Sequence, residues 1–324
     1  MTTSLKQAST GSARGQLATY LGLAAVLLGM VIFFGSLSEY FFSVATFLAI
    51  GNEIPALLVM AVGMTFVLII AGIDLSVGSV LALSAAAAAN AILQWHWGSL
   101  PAAMLGLAVG LTCGAFTGWV SVAWRLPSFI VSLGMLEAVR GGAYVMTDSR
   151  TQYVGDAMAG LATPWLAGVS TAFFIAVALV FIAQIVLTKT VFGRYVVGIG
   201  TNEEAMRLAG INTSPIRIAV FACTGLLAGL AGLMQSARLE AADPNSGTGI
   251  ELQVIAAVVI GGTSLMGGRG SVINTFFGVL IIAVLEAGLA QIGVSDPSKR
   301  IITGCVIVVA VIIDTLRQKR SVAV

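Results

Sequence analysis

Apolar residues run along this chain in long blocks, with neither the alternation of a strand nor the single stripe of a surface helix. The first block, 17–35, follows Lys6 and Arg14, and no small-residue cleavage site comes after it. It is therefore expected to remain as a spanning helix and not to be removed as a leader. Similar blocks recur at 56–71, 75–93, 102–124, 128–146, 171–187, 216–237, 252–266, 272–292 and 301–316. A bilayer core takes about 20 apolar residues per helix, so the pattern predicts an all-α protein with about ten transmembrane helices. Ser214-Pro215 and Asp296-Pro297 each read as an N-cap with proline in the first turn. Pro55, Pro101 and Pro127 also fall where helices should begin. The run 41–51, with Glu53 behind it, is too short to cross and predicts a surface or re-entrant helix.

Composition agrees with this pattern. Of 324 residues, 58% are hydrophobic and only 9% charged, with a mean hydropathy of +1.01, which excludes a soluble domain. Net charge, +2, matters less than its placement. Threading ten spans puts Lys6, Arg14, Arg125, Lys189, Arg194, Arg207, Arg217, Arg269, Arg317, Lys319 and Arg320 on one side. Arg150, Arg238, Lys299 and Arg300 fall on the other. The basic side should be cytoplasmic, which makes both termini internal, residues 1–16 a cytoplasmic tail and 193–214 a cytoplasmic loop within one membrane domain, 1–324.

Glycines at 106, 110, 114 and 118, and at 225, 229 and 232, make small-residue faces on which helix backbones can approach closely. AGIDLSVGSV (71–80) and IGGTSLMGGRGSV (260–272) echo each other weakly as glycine-rich connections on the same side, without defining a repeat. Polar residues inside spans are costly and become candidates for the translocation path. Those candidates are Glu137, Arg140, Asn274 and Glu286. Glu137 and Arg140, at i and i+3, also suit a helical ion pair, and Glu286 also suits a protonated, packed carboxyl. Asp74, heading LSVGSV, is read as a helix N-cap.

Catalytic motifs are missing. None of the four lysines, Lys6, Lys189, Lys299 and Lys319, follows a glycine, so the sequence holds no P-loop. It also has no H-E-x-x-H, no G-x-S-x-G and no paired cysteine set. Cys113, Cys223 and Cys305 read as buried hydrophobes, and His96, between Trp95 and Trp97, as part of an interfacial belt. No metal, cofactor or nucleic acid is expected, and the chain is not read as an enzyme. Uphill transport would draw on a partner or an ion gradient.

One stretch breaks the apolar pattern. In GTNEEAMRLAGI (200–211), Thr201 and Glu204 fit a capping box, so a short helix should start near Asn202. Glu203 and Arg207 stand at i and i+4, Ala205, Leu208 and Ala209 form a thin apolar face, and Gly210 is a ready stop. A helix this short is marginal alone and lacks the aromatic residues and lysines of a lipid binder. It predicts docking into a soluble partner, with headgroup contact as the plainer alternative.

The sequence GRYVVGIGTNEEAMRLAGI (193–211) resembles the cytoplasmic coupling loop of bacterial ABC-importer permeases for ribose and related sugars. AVGMTFVLIIAGIDLSVGS (61–79), the segment 237–272 and AGLAQIGV (287–294) resemble the same family in order, from about residue 40 to the end. The resemblance implies a type II importer-like fold and an inner-membrane location. It also implies ATP-binding subunits as partners, a periplasmic sugar-binding protein, and a second permease subunit in a homodimer or heterodimer, all within membrane lipid. Thr201, Asn202, Glu203, Glu204, Arg207, Leu208 and Gly210 would then couple to the ATPase. Ribose-type permeases carry an asparagine pair where this chain has Glu286-Ala287, so the sugar stays open. An ion-coupled secondary transporter using Glu286 or Glu137 is the alternative, and a passive channel fits less well.

Overall fold

The computed structural model describes residues 2–322, with side chains described from Tyr20 to Val306 and at isolated positions beyond. The side chains of the tail, 1–16, and of Arg317, Lys319 and Arg320 lie outside the described residues. The chain is built from α1 (Thr2–Leu37), α2 (Val44–Ile69), α3 (Val77–Leu93), α4 (Ser99–Ala123) and α5 (Ser128–Met146). A link containing the short helix α6 (Ala159–Ala162) leads to α7 (Thr171–Lys189), α8 (Val191–Leu208) and α9 (Thr213–Leu239). The last elements are α10 (Ile250–Ile260), α11 (Val272–Gln291) and α12 (Asp296–Val322). The strands are minor: β1 (Gln152–Tyr153) pairs with β4 (Ala241–Ala242), and β2 (Pro164–Leu166) with β3 (Val169–Ser170).

Among the described residues, 7 helices are long and apolar enough to cross a membrane: α1 from Tyr20, α2, α4, α5, α7, α9 and α11. The expected spans at 75–93 and 252–266 are shorter helices, α3 with 17 residues and α10 with 11. At about 1.5 Å per residue α10 covers roughly 16 Å, about half of a ~30 Å hydrocarbon core. The chain leading into α10 accounts for this. A Cβ added to Gly78, near the start of α3, would strike the carbonyl oxygen of Gly247, so the 240–249 segment enters the bundle before its helix begins. Residues 70–76 likewise leave helical form inside the fold, where Asp74 is only 1% exposed.

Two boundaries differ from expectation. The run 41–51 is no separate helix, because α2 begins at Val44 and passes through Pro55. Thr46, Ile50 and Ile54, at successive turns, are buried, and beyond Pro55 the helix is buried almost throughout, so one packed face continues across the proline and outweighs its lost hydrogen bond. At α9 the cap is Asn212, whose Oδ1 accepts from the Ser214 N–H, so Ser214 and Pro215 lie within the first turn.

Helix α2 is the central post and packs against α7, α9, α10 and α11. Alongside it the two glycine faces meet each other. A Cβ on Gly114 would collide with the Phe221 carbonyl, and one on Gly225 would lie 2.8 Å from the Gly114 Cα. The glycine-rich connections after α2 and after α10 also meet: the Gly268 N–H donates to the Ile69 carbonyl at 2.8 Å. Gly200, at the root of the charged stretch, is pressed into this junction, and a Cβ there would overlap the Ile69 carbonyl oxygen.

Candidate functional site

Helix α8 bends at Asn202, whose φ of −162° and ψ of 97° are extended backbone, and residues 203–208 form a second short helix beyond it. The cap is Asn202, with Oδ1 accepting from the Ala205 N–H at 2.9 Å. The expected capping box does not form. Thr201 still belongs to the preceding helical turn, so its hydroxyl donates back to the Val197 carbonyl at 2.8 Å. Glu204 is exposed and makes no cap bond. At the other end Gly210 takes a φ of +81°. Its N–H donates to the Arg207 carbonyl at 2.9 Å and that of Ile211 to Met206 at 3.1 Å, a Schellman stop.

Glu203 holds this helix to the bundle. Its carboxylate pairs with Arg207 at 2.7 Å and with Arg217 of α9 at 2.9 Å, and it accepts from the Thr213 hydroxyl at 2.8 Å. Arg207 Nε donates to the same Thr213 oxygen at 3.1 Å. Burial pushes the Glu203 carboxyl upward, but the Thr213 bond with Arg217 and Arg207 outweighs it and holds the group below the ordinary carboxylate value. The sequence suggests the Arg207 pair; Arg217 and Thr213 come from the start of α9 and become visible only in the fold. With Glu203 turned inward, Ala205, Leu208 and Ala209 face out, and Leu208 is 85% exposed. A cavity of about 230 Å³ lies beside the network, between Ser121, Arg125, Glu203 and Arg217.

The four path candidates are not brought together. Glu286, in α11, accepts from Gln253 Nε2 of α10 at 2.6 Å, and both line a cavity of about 500 Å³ at the end of the bundle away from Arg207. Glu53 of α2 borders the same cavity and stands 3.9 Å from Arg238. Asn274 lies at the start of α11, roughly 18 Å along the helix from Glu286. The expected Glu137–Arg140 pair is absent. Arg140 Nη1 donates instead to the carbonyls of Pro244 and Ser246 at 2.6 and 2.7 Å, which pins the 240–249 segment, while Glu137 is exposed on the outside of α5. Those carbonyls have no donor within their own turn, so they capture the guanidinium more effectively than an exposed glutamate does.

Asp74 is not the cap of α3. Ser76 holds that position, and Asp74 Oδ1 accepts from its N–H at 2.9 Å and its hydroxyl at 2.6 Å, an Asx turn ahead of the helix. Sequence reasoning misses Glu53, Arg238 and Gln253. Glu53 reads as the end of a short apolar run, and an uncharged glutamine within a span gives no signal.

Comparison with known proteins matches residues 46–311 to the family described as branched-chain amino acid transport system / permease component. The ribose import permease protein RbsC of Escherichia coli (strain K12) is 40% identical over 297 residues, covering 90% of this chain and 92% of that protein. The RbsC protein of Bacillus subtilis (strain 168) is 35% identical, covering 92% of each. The fructose import permease protein FrcC of Rhizobium meliloti is 32% identical, covering 92% of this chain and 85% of that protein. No solved structure matches.

Proposed function

The chain belongs to the branched-chain amino acid transport system / permease component family, and from that premise we propose that it is the membrane subunit of a bacterial ABC importer for a monosaccharide or related polyol. The family's description names amino acids, but relatives similar over nine-tenths of this chain are named for ribose and fructose. That near full-length identity carries the sugar reading. It is a multi-pass inner-membrane protein. With α3 and α10 completed by the non-helical segments leading into them, the path crosses about ten times and leaves both termini in the cytoplasm.

The chain carries no catalytic residue in this reading. ATP-binding subunits supply the energy, a periplasmic sugar-binding protein delivers the cargo, and a second permease subunit completes the pathway. Residues 200–211 are the contact with the ATPase, which receives the outward-facing Leu208. Glu286 borders the cargo path, and Arg140 shapes its wall through the 240–249 segment. Glu137 faces outward from an apolar span, where a carboxylate against lipid is costly, so it is assigned to the face toward the second permease subunit.

Reconstitution tests the reading. In liposomes the chain alone should neither hydrolyse ATP nor accumulate sugar, and uptake should require the ATPase and binding protein. Accumulation driven by a proton or sodium gradient without them would establish the ion-coupled alternative instead.

A further inference from the structure

The cavity beside Glu286 continues into two smaller ones. A space of about 240 Å³ also contains Glu53, Gln253 and Glu286, and one of about 210 Å³ contains Glu53 and Arg238 with Asn52, Gln235 and Ser170. Together with the larger space of about 500 Å³ they reach the size range of small-molecule sites, roughly 300–1,000 Å³.

The charged groups in the lining balance one another. Glu53, Glu286 and Asp296 stand against Arg238, Lys299 and Arg300. Lys299 pairs with Asp296 at 2.9 Å, and Arg238 faces Glu53. Glu286 receives a hydrogen bond from Gln253, and its second oxygen remains open to accept. Carboxylates that accept, carboxamides that both donate and accept, and a guanidinium that donates suit a neutral molecule dense in hydroxyls. A charged cargo gains nothing from a wall whose charges cancel.

We propose that this cavity is a binding station for neutral polyhydroxylated cargo, built from Glu53, Arg238, Gln253 and Glu286, so that the membrane subunit itself discriminates among molecules offered to it. The proposal rests on the importer reading above and extends it from passage to selection.

The test uses the full chain in lipid nanodiscs without partner proteins, with ribose, fructose and ribitol as probes and leucine as the control. Saturation-transfer NMR should show saturable, millimolar binding of at least one polyol and none of leucine. Glu286→Ala and Glu53→Gln should each weaken that binding by at least about tenfold. Thermal unfolding establishes that each variant is folded, and Gln253→Leu tests the same contact if Glu286→Ala does not insert. Absence of saturable polyol binding, or binding unchanged in the folded variants, overturns the station. Uptake with the ATPase and binding protein separates the two claims. Polyol uptake without binding to the chain alone sinks the station and leaves the importer reading intact, whereas failure to take up any polyol sinks the importer reading.

Discussion

Replacing Glu203 with alanine should release the short helix from the bundle without disturbing the membrane core. Three partners are lost at once: Arg207 at 2.7 Å, Arg217 at 2.9 Å and the Thr213 hydroxyl at 2.8 Å. Exposed ion pairs contribute about 0.2–1 kcal/mol, and hydrogen bonds to charged groups about 1.5–3 kcal/mol when water is excluded. The Glu203 side chain is 28% exposed, Arg207 53% and Arg217 18%, so the Arg217 bond carries more than the Arg207 pair. A net loss of about 1–2 kcal/mol follows, a factor of roughly 5–30 in the docked population. Residues 203–208 are too short to stay helical undocked, so structure and docking go together. Hydrogen exchange in nanodiscs should show protection at 205–211 falling by that factor, with α4 and α9 amides unchanged. In the assembled importer, ATPase stimulation by the binding protein should fall with it. Glu204→Ala, at an exposed position without bonds, should leave both readouts at wild type. Wild-type protection in Glu203→Ala, or an equal loss in Glu204→Ala, would refute this assignment.

Because the Glu203 carboxyl sits below its usual 4.5 in the fold, its contribution is complete above the unfolded value and is lost only as pH falls through the lower folded one. Spin-label mobility at Leu208→Cys should therefore be flat from about pH 8 to pH 5 and rise only in stronger acid; a transition between pH 7 and 6 contradicts this. Gly225→Leu should push α4 from α9 and lower detergent thermal stability by about 3 kcal/mol or more, since a Cβ there already meets Gly110 and Gly114 backbone. Gly141→Ala, facing open space, should be neutral or stabilising by up to about 1 kcal/mol. Arg140→Ala strips the donor from the Pro244 and Ser246 carbonyls, so the amides of Ser246 and Thr248 should exchange at least about tenfold faster.

Much of this architecture is written in local pattern. Long apolar blocks mark the helices, the spacing of Gly110 and Gly114 anticipates the close contact with Gly225, and Glu203, Arg207 and Gly210 mark the short helix and its stop. What stays hidden depends on where backbone leaves helical form or on partners distant in sequence. Hydropathy cannot show that α10 stops after 11 residues, because 261–266, which leaves helical form, carries no charge and reads on as part of the same block. Thr201 and Asn202 are both good caps by type; only the persistence of helix through Thr201 selects its neighbour. Arg140 has a plausible partner three residues away, yet its bonds go to carbonyls more than a hundred residues along the chain. The same limit hides Glu53 and Arg238, which meet only when α2 and the end of α9 come together.

The seat of Gly200 has a mechanical consequence. Where its backbone touches the Ile69 carbonyl, and where the Gly268 N–H holds that same carbonyl, no side chain lies between the three strands of chain to cushion them. A joint padded with leucines can absorb a small displacement by changing rotamers, and part of the stroke is spent as backlash. Bare backbone has no such play. A tilt imposed on the short helix should therefore reach the breaks after α2 and after α10 together and undiminished. The same stiffness makes the joint unforgiving, because even the methyl group of alanine at position 200 would wedge all three strands apart.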